Sequence, residues 1–173
     1  PNQAQLTEFH ARLGQYAHVP GDVIKALRAI PAKAGLMDVM RSAASVLAHW
    51  DPDVNDSSHA ANLRKAERLL AQLPVVLAAR LRINRGQEPV PPDADRSLAG
   101  NFLWMLRRVE PEPGAIQALD LSLILYAEHE FNASTFTGRV VASTLSDLHS
   151  AVTAAIGALK GPLHGGANEK VME

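Results

Sequence analysis

The chain has 173 residues, with 17 Lys and Arg against 18 Asp and Glu, a net charge of −1 and no cysteine. Lack of cysteine excludes disulfides, thiolate catalysis and cysteine-ligated zinc, and a near-neutral chain without blocks of like charge offers neither a nucleic-acid footprint nor a polybasic membrane patch. Hydrophobic residues make up 47 % and aromatics only 5 %, so alanine and leucine carry the apolar surface, a mixture that favours close-packed helices.

The length favours one helical domain, 1–173. No apolar run approaches the roughly 20 residues that span a bilayer. The first residues do not read as a secretory leader. The chain starts at Pro1 and stops at Val171-Met172-Glu173, inside what reads as a helix just begun. The expectation is an internal piece of a longer, cytoplasmic protein.

Leu6, Phe9, Leu13 and Tyr16 repeat at helical spacing and predict a first amphipathic helix, ended by Pro20-Gly21. Asp22 reads as the N-cap of a short second helix with Val23, Ile24 and Leu27, closed by Pro31. A third helix is predicted over 37–48, with Met40, Ala43, Ala44 and Leu47 inward and Asp38 in its first turn, where a carboxylate suits the helix dipole. Residues 51–58 are polar and turn-rich, hence a loop.

Residues 59–83 read as helix, with Leu63, Ala66, Leu69, Leu70 and Leu73 on one face and a kink at Pro74. Three prolines between Gly86 and Asp95 mark an extended loop. A short helical piece over 101–106 follows, then a break at Pro111-Glu112-Pro113-Gly114. Ile116, Leu119, Leu123, Ile124 and Ala127 mark a helix running to His129. Another resumes near Ala133, with Val140 and Val141 inward. Ser146 or Asp147 caps the last long helix, where Leu148, Val152, Ala155, Ile156 and Leu159 give the clearest period in the chain. No segment alternates with period two, so the fold class is all-α, with no significant β-sheet and no internal repeat.

Two stretches carry chemistry. The first is Gly161-Pro162-Leu163-His164-Gly165-Gly166. Proline stops the helix, the glycines let the chain turn, and His164 is presented on a sparsely covered corner. Histidine is the side chain most readily used as donor or acceptor near neutral pH. The second is Glu128-His129-Glu130-Phe131-Asn132-Ala133-Ser134-Thr135, unusually polar for the end of an apolar helix. A solvated helix end with side-chain caps is the plain alternative there. A zinc HExxH pair would need a histidine at 133, which is alanine, so no metal site is expected. His10, His18, His49, His59 and His149 have no carboxylate or histidine at ligand spacing and read as surface or helix-end residues. No phosphate-binding glycine loop is present. Two glycosylation patterns, at Asn55 and Asn132, read as chance matches.

The run from Leu125 through Thr137 (Leu-Tyr-Ala-Glu-His-Glu-Phe-Asn-Ala-Ser-Thr-Phe-Thr), followed by Ala154 through Glu169 with its Lys-Gly-Pro-Leu-His-Gly-Gly-Ala-Asn-Glu ending, resembles the citrate synthase family. Met37-Asp38-Val39-Met40-Arg41 and the stretch from Glu88-Pro89 to Asn101-Phe102-Leu103 fit the same family in order and spacing, although Gly35-Leu36-Met37 stands where many members have His-Pro-Met. The resemblance covers nearly the whole chain. It implies most of the large domain of a mostly helical homodimer. It implies condensation of oxaloacetate with acetyl-CoA, or with propionyl-CoA in the 2-methylcitrate branch, then thioester hydrolysis.

By that likeness His164 is the catalytic donor to the thioester carbonyl and His129 binds oxaloacetate. Ser134 helps hold the catalytic histidine, with Asn132 and Gly165 in support. No cofactor is expected, since the acyl-CoA is a substrate. The family also uses a second histidine, an aspartate base and arginines that the likeness assigns to no residue of this sequence. The piece therefore carries half a site and is expected to be inactive alone. The reading of another class is a catalytically silent helical assembly module. The wording around His129 and Met37 leans toward the 2-methylcitrate branch, while the proline-rich loop and the His164 motif resemble bacterial citrate synthases equally.

Overall fold

Side-chain caps written into the sequence set the starts of α-helices at Asn2, Ser97, Asn132 and Asp147. The structure is a computed structural model that describes residues 1–127 and 130–165. Among the described residues it contains eight α-helices and no strand: α1 (Gln3–Tyr16), α2 (Gly21–Ala29), α3 (Leu36–Leu47), α4 (His59–Asn84), α5 (Leu98–Arg107), α6 (Pro113–Tyr126), α7 (Ala133–Ser143) and α8 (Leu148–Leu159), with one 3₁₀ turn at Ala48–Trp50. Asn2 and Gln5 form a reciprocal capping box at α1. Ser97, Asn132 and Asp147 each accept a backbone N–H at the starts of α5, α7 and α8. Asp22 is not a cap: α2 begins one residue earlier, and Asp22 bonds Lys25 from inside the first turn at 2.8 Å. The expected break at 111–114 contains a helix start, because Pro113 occupies the first helical position, where its missing N–H costs nothing. Ser97 likewise starts α5 three residues before the expected point.

The chain divides into two compact units, residues 1–29 with 67–128 and residues 30–66 with 129–173, the boundary falling within α4.

In the first unit, α1, α2, α5, α6 and the later part of α4 surround a core that includes Val23, Leu27, Leu69, Val75, Val76, Ala78, Ala79, Ala99 and Met105. Buried arginines tie α4 to α2, to α5 and to the loop that follows α4. Arg80, only 1 % exposed, donates to the Leu27 carbonyl at 2.7 Å. Arg82 donates to the carbonyls of Glu88 at 2.6 Å and Leu106 at 3.2 Å. The proline-rich loop is held by the Asn101 side chain, which accepts from the Asp93 N–H at 3.0 Å. Arg96 adds bonds to Asp93 and Glu110 and stacks over Trp104. Gly14 is required where α1 meets this loop, since a Cβ there would collide with the Ala94 carbonyl.

The buried face of α4 only partly follows the leucine stripe. Leu63 and Leu70 are exposed, while Ala61, Lys65, Arg68, Leu69, Ala71, Val75, Val76, Ala78, Ala79 and Arg80 are buried. Hydropathy fails here because long cationic side chains lie along apolar surface and deliver their polar ends to backbone carbonyls. Pro74 does not end the helix, which runs through it for 26 residues. An interior proline costs about 3 kcal/mol, and burial of the valines and alanines that follow offsets this at roughly 1.5–3 kcal/mol per fully buried valine.

The second unit is built on α3, α7, α8 and the start of α4, with Val39, Ala43, Ala44, Leu47, Ala61 and Ala151 buried. α8 packs on both α3 and α7. α7 and α8 form an antiparallel hairpin in which Gly138 faces Ala151 and Ala155. α3 also runs antiparallel to α8: Asp38, in the first turn of α3, meets Lys160 just past the end of α8, whereas Asp51, just past α3, meets His149 in the first turn of α8. His149 is therefore no surface residue. It is 1 % exposed, with Nε2 3.5 Å from Asp51 and Nδ1 3.9 Å from Asp147. The other four histidines noted, 10, 18, 49 and 59, are exposed as expected. Val140 is half exposed rather than inward. Lys65 is wholly buried and donates to the Asp56 carbonyl at 2.7 Å, fixing the 51–58 loop.

Candidate active site

The site sits at the open end of the α7–α8 hairpin. Two chain segments meet there because each is shaped by a local rule. Before α7, Glu130 takes a positive φ of 69° and the Asn132 N–H donates back to the Glu130 carbonyl at 2.8 Å. That sharp turn sets Asn132 as the cap, its Oδ1 accepting from the N–H groups of Ser134 at 2.9 Å and Thr135 at 3.1 Å. The Ser134 hydroxyl donates to the same Oδ1.

After α8, the chain folds back on its own last turn. The Gly161 N–H donates to Ala158, His164 N–H to Gly161 at 2.9 Å and Gly165 N–H to Leu159 at 2.9 Å. These bonds satisfy orphan carbonyls at the helix end. Gly165 is required by this closure. A Cβ would meet the Leu159 carbonyl and approach its Cδ1 to 2.8 Å. Pro162 and Leu163 are exposed around the turn.

The two segments join through His164. Its Nε2 lies 3.1 Å from the Ser134 hydroxyl and 3.3 Å from the Ser134 backbone N–H. That N–H belongs to the second residue of α7, at the positive end of the helix, and can only donate. Nε2 accepts from it when the imidazole is neutral with its proton on Nδ1, the tautomer this geometry assigns. The half-buried ring is fixed through Nε2, and in this tautomer its donor hydrogen is carried on Nδ1. Such a donor can stabilise a negative oxygen that forms during a reaction, and it needs no reorganisation to do so.

Sequence reasoning named His164, Ser134, Asn132 and Gly165, and the structure brings these four together. His129 was also named, and lies outside the described residues, as do Gly166 and the residues after it. Sequence reasoning missed Lys160. Its ammonium spans both oxygens of Asp38, at 2.7 and 2.8 Å, and Arg41 reaches the same carboxylate at 3.0 Å. The Lys160 bond, with help from Arg41, holds the Asp38 carboxyl below its ordinary range. The two partners lie 122 residues apart, so no spacing rule could pair them. Asp147, the cap of α8, also titrates low. Burial pushes it up, but bonds from Ser150 and the nearby His149 outweigh that. Among the described residues no three His, Asp or Glu side chains converge as a metal site, and no helix is long and apolar enough to cross a membrane.

Known proteins match the chain over nearly its whole length. The family pattern described as citrate synthase, C-terminal domain, matches residues 1–173. Citrate synthase 2 of Bacillus subtilis is 47 % identical over 174 residues, covering 100 % of this chain and 47 % of that protein. The 2-methylcitrate synthase of Mycobacterium tuberculosis is 48 % identical over 172 residues, covering 99 % of this chain and 43 % of that protein. Among solved structures, the ternary complex of carboxymethyl coenzyme A and oxaloacetate with citrate synthase from Thermoplasma acidophilum superposes with a TM-score of 0.91 at 29 % identity, covering 98 % of this chain and 44 % of that one. The chain thus spans just under half the length of the relatives it matches. On a family pattern that runs from the first residue to the last, and on relatives that share close to half its residues, the chain belongs to the citrate synthase family.

Proposed function

We propose that the full-length protein containing this chain condenses oxaloacetate with a short acyl-CoA and hydrolyses the resulting thioester. With acetyl-CoA the products are citrate and CoA. The observation that carries this reading is the anchoring of His164 through Nε2 to the start of α7. Removing a proton from the thioester methyl group moves charge onto the carbonyl oxygen. His164 donates to that oxygen as the enol forms, and the enol carbon then attacks the ketone of oxaloacetate. A donor of this kind is worth about 10²–10³ in rate. Ser134 and Asn132 fix the imidazole, Gly165 permits the turn that presents it, and His129 binds oxaloacetate. One histidine supplies only part of the cationic surface that a dicarboxylate needs. The base and the remaining cations belong to other parts of the protein, so these 173 residues alone do not turn over substrate. No resident cofactor takes part, and the protein works in the cytoplasm.

The protein is proposed to act as a homodimer. The support is α6, which has no buried residue and leaves Leu121, Leu123, Ile124, Leu125 and Tyr126 exposed. A helix that leaves so many large apolar side chains in solvent belongs against a further packed surface.

The second reading is the propionyl-CoA reaction, since a 2-methylcitrate synthase at 48 % identity stands level with a citrate synthase at 47 %. One methylene of pocket space decides the branch, at about 1–3 kcal/mol. The test is thiol release by the full-length protein with oxaloacetate and either thioester. Release of CoA that falls about 10²-fold or more in His164→Ala is expected. A folded protein that consumes neither thioester overturns the reading in favour of a silent module.

A further inference from the structure

We infer that Asp38 and Lys160 act as a positioning pair for His164, an inference that rests on the proposed reaction. The turn bearing His164 is an extension of α8. Its backbone bonds run to Ala158, Leu159 and Gly161, so wherever the end of α8 goes, the imidazole goes with it. α8 is 12 residues long, about 18 Å. Its two ends are tied to α3 and the turn after it by two electrostatic contacts of different character. At the start, His149 and Asp51 are both buried. At the end, one residue before Gly161, Lys160 spans the Asp38 carboxylate, with side chains 46 % and 33 % exposed.

The exposed tie contributes little to stability, because solvent screens a surface pair and ordering its two long side chains costs entropy. Its geometry gives it another use. Lys160 sits where the dipole of α8 is negative, and Asp38 where that of α3 is positive. Each charge is matched both to its own helix and to its partner. The pair therefore sets how the last turn of α8 meets α3, four residues from the imidazole. A misplacement of about 1 Å in a donor can cost about 10² in rate, far more than the same displacement costs in folding. Arg41 shares the carboxylate from within α3, and its stem lies against α8 only at Gly157, a full turn before the corner that carries His164.

The experiment uses the full-length protein with Asp38→Asn, Lys160→Met, both together, and Lys160→Arg. Two readouts are taken: steady-state thiol release, and backbone hydrogen exchange of the 159–165 segment by mass spectrometry. Each broken variant is expected to lose about tenfold in kcat with KM little changed and to exchange faster at 159–165. The double variant is expected to lose no more than either single one, and Lys160→Arg to restore most of the loss. Wild-type kcat in both single variants overturns the inference, as does unchanged exchange at 159–165 in both. A larger, additive loss in the double variant also overturns it. If the unmodified protein releases no thiol, the reading of the reaction has failed, and the exchange readout still decides whether the pair holds the turn.

Discussion

Gly165→Ala is the sharpest perturbation of the site, because it adds one methyl group where the chain folds back on α8. The new Cβ meets the Leu159 carbonyl, the very acceptor that the Gly165 N–H uses at 2.9 Å, and stands 2.8 Å from Leu159 Cδ1 and 3.1 Å from Cγ. The leucine side chain can rotate away, but the carbonyl is part of the last turn of α8 and cannot. Losing the hydrogen bond costs about 0.5–1.5 kcal/mol. Relieving the overlap costs about 1–3 kcal/mol. The closed turn is therefore disfavoured by roughly 2–4 kcal/mol, enough to open it. Opening withdraws His164 from Ser134, which it meets at 3.1 Å. In the full-length protein kcat is expected to fall about 10²-fold or more, while the melting temperature moves little, since the turn lies beyond the last helix of its hairpin. Thiol release and hydrogen exchange at 159–165 measure the two effects. A wild-type kcat with unchanged exchange would refute the argument that Gly165 is a steric requirement.

Three further outcomes are expected. Asn132→Ala removes the acceptor for the N–H groups of Ser134 and Thr135, so stability should drop by about 1 kcal/mol with a larger loss of kcat; Asn132→Asp, which keeps the acceptor, should restore the stability, and failure to do so would show that the cap is not the cause. Lys65 is wholly buried on one hydrogen bond to the Asp56 carbonyl. Lys65→Met keeps the volume and should cost under about 2 kcal/mol, whereas Lys65→Ala should cost about 2–5 kcal/mol; equal losses in denaturant titrations would sink this account of its packing. Glu67, pulled below its usual range by the Arg12 fork, and Asp147, pulled down by Ser150, have lower pKa values folded than unfolded. Their stabilisation is complete above about pH 5 and is lost as pH falls through the folded values. Melting temperature should thus decline below about pH 4, less steeply in Glu67→Gln, and a superimposable acid limb would remove that pair from the explanation.

The sequence alone determined the helices and one side of the site. Capping residues, proline stops and apolar periods are local, so all eight elements could be anticipated, and the polar run after α6 and the glycine–proline corner at His164 stood out. What the sequence misplaced was sidedness. Leu63 and Leu70 of α4 are exposed while Arg80 and Arg82 are buried, because a guanidinium that finds backbone carbonyls is no longer a surface group, and hydropathy cannot see the acceptor. His149 was misread for the same reason: its partner Asp51 lies far along the chain. Tertiary structure alone decided that Asp38 and Lys160 meet, and that Nε2 of His164 faces the start of α7. Both facts depend on α8 running antiparallel to α3 and α7 at once. The register of packed helices follows from summed contacts over whole faces, a quantity that no short window of sequence contains.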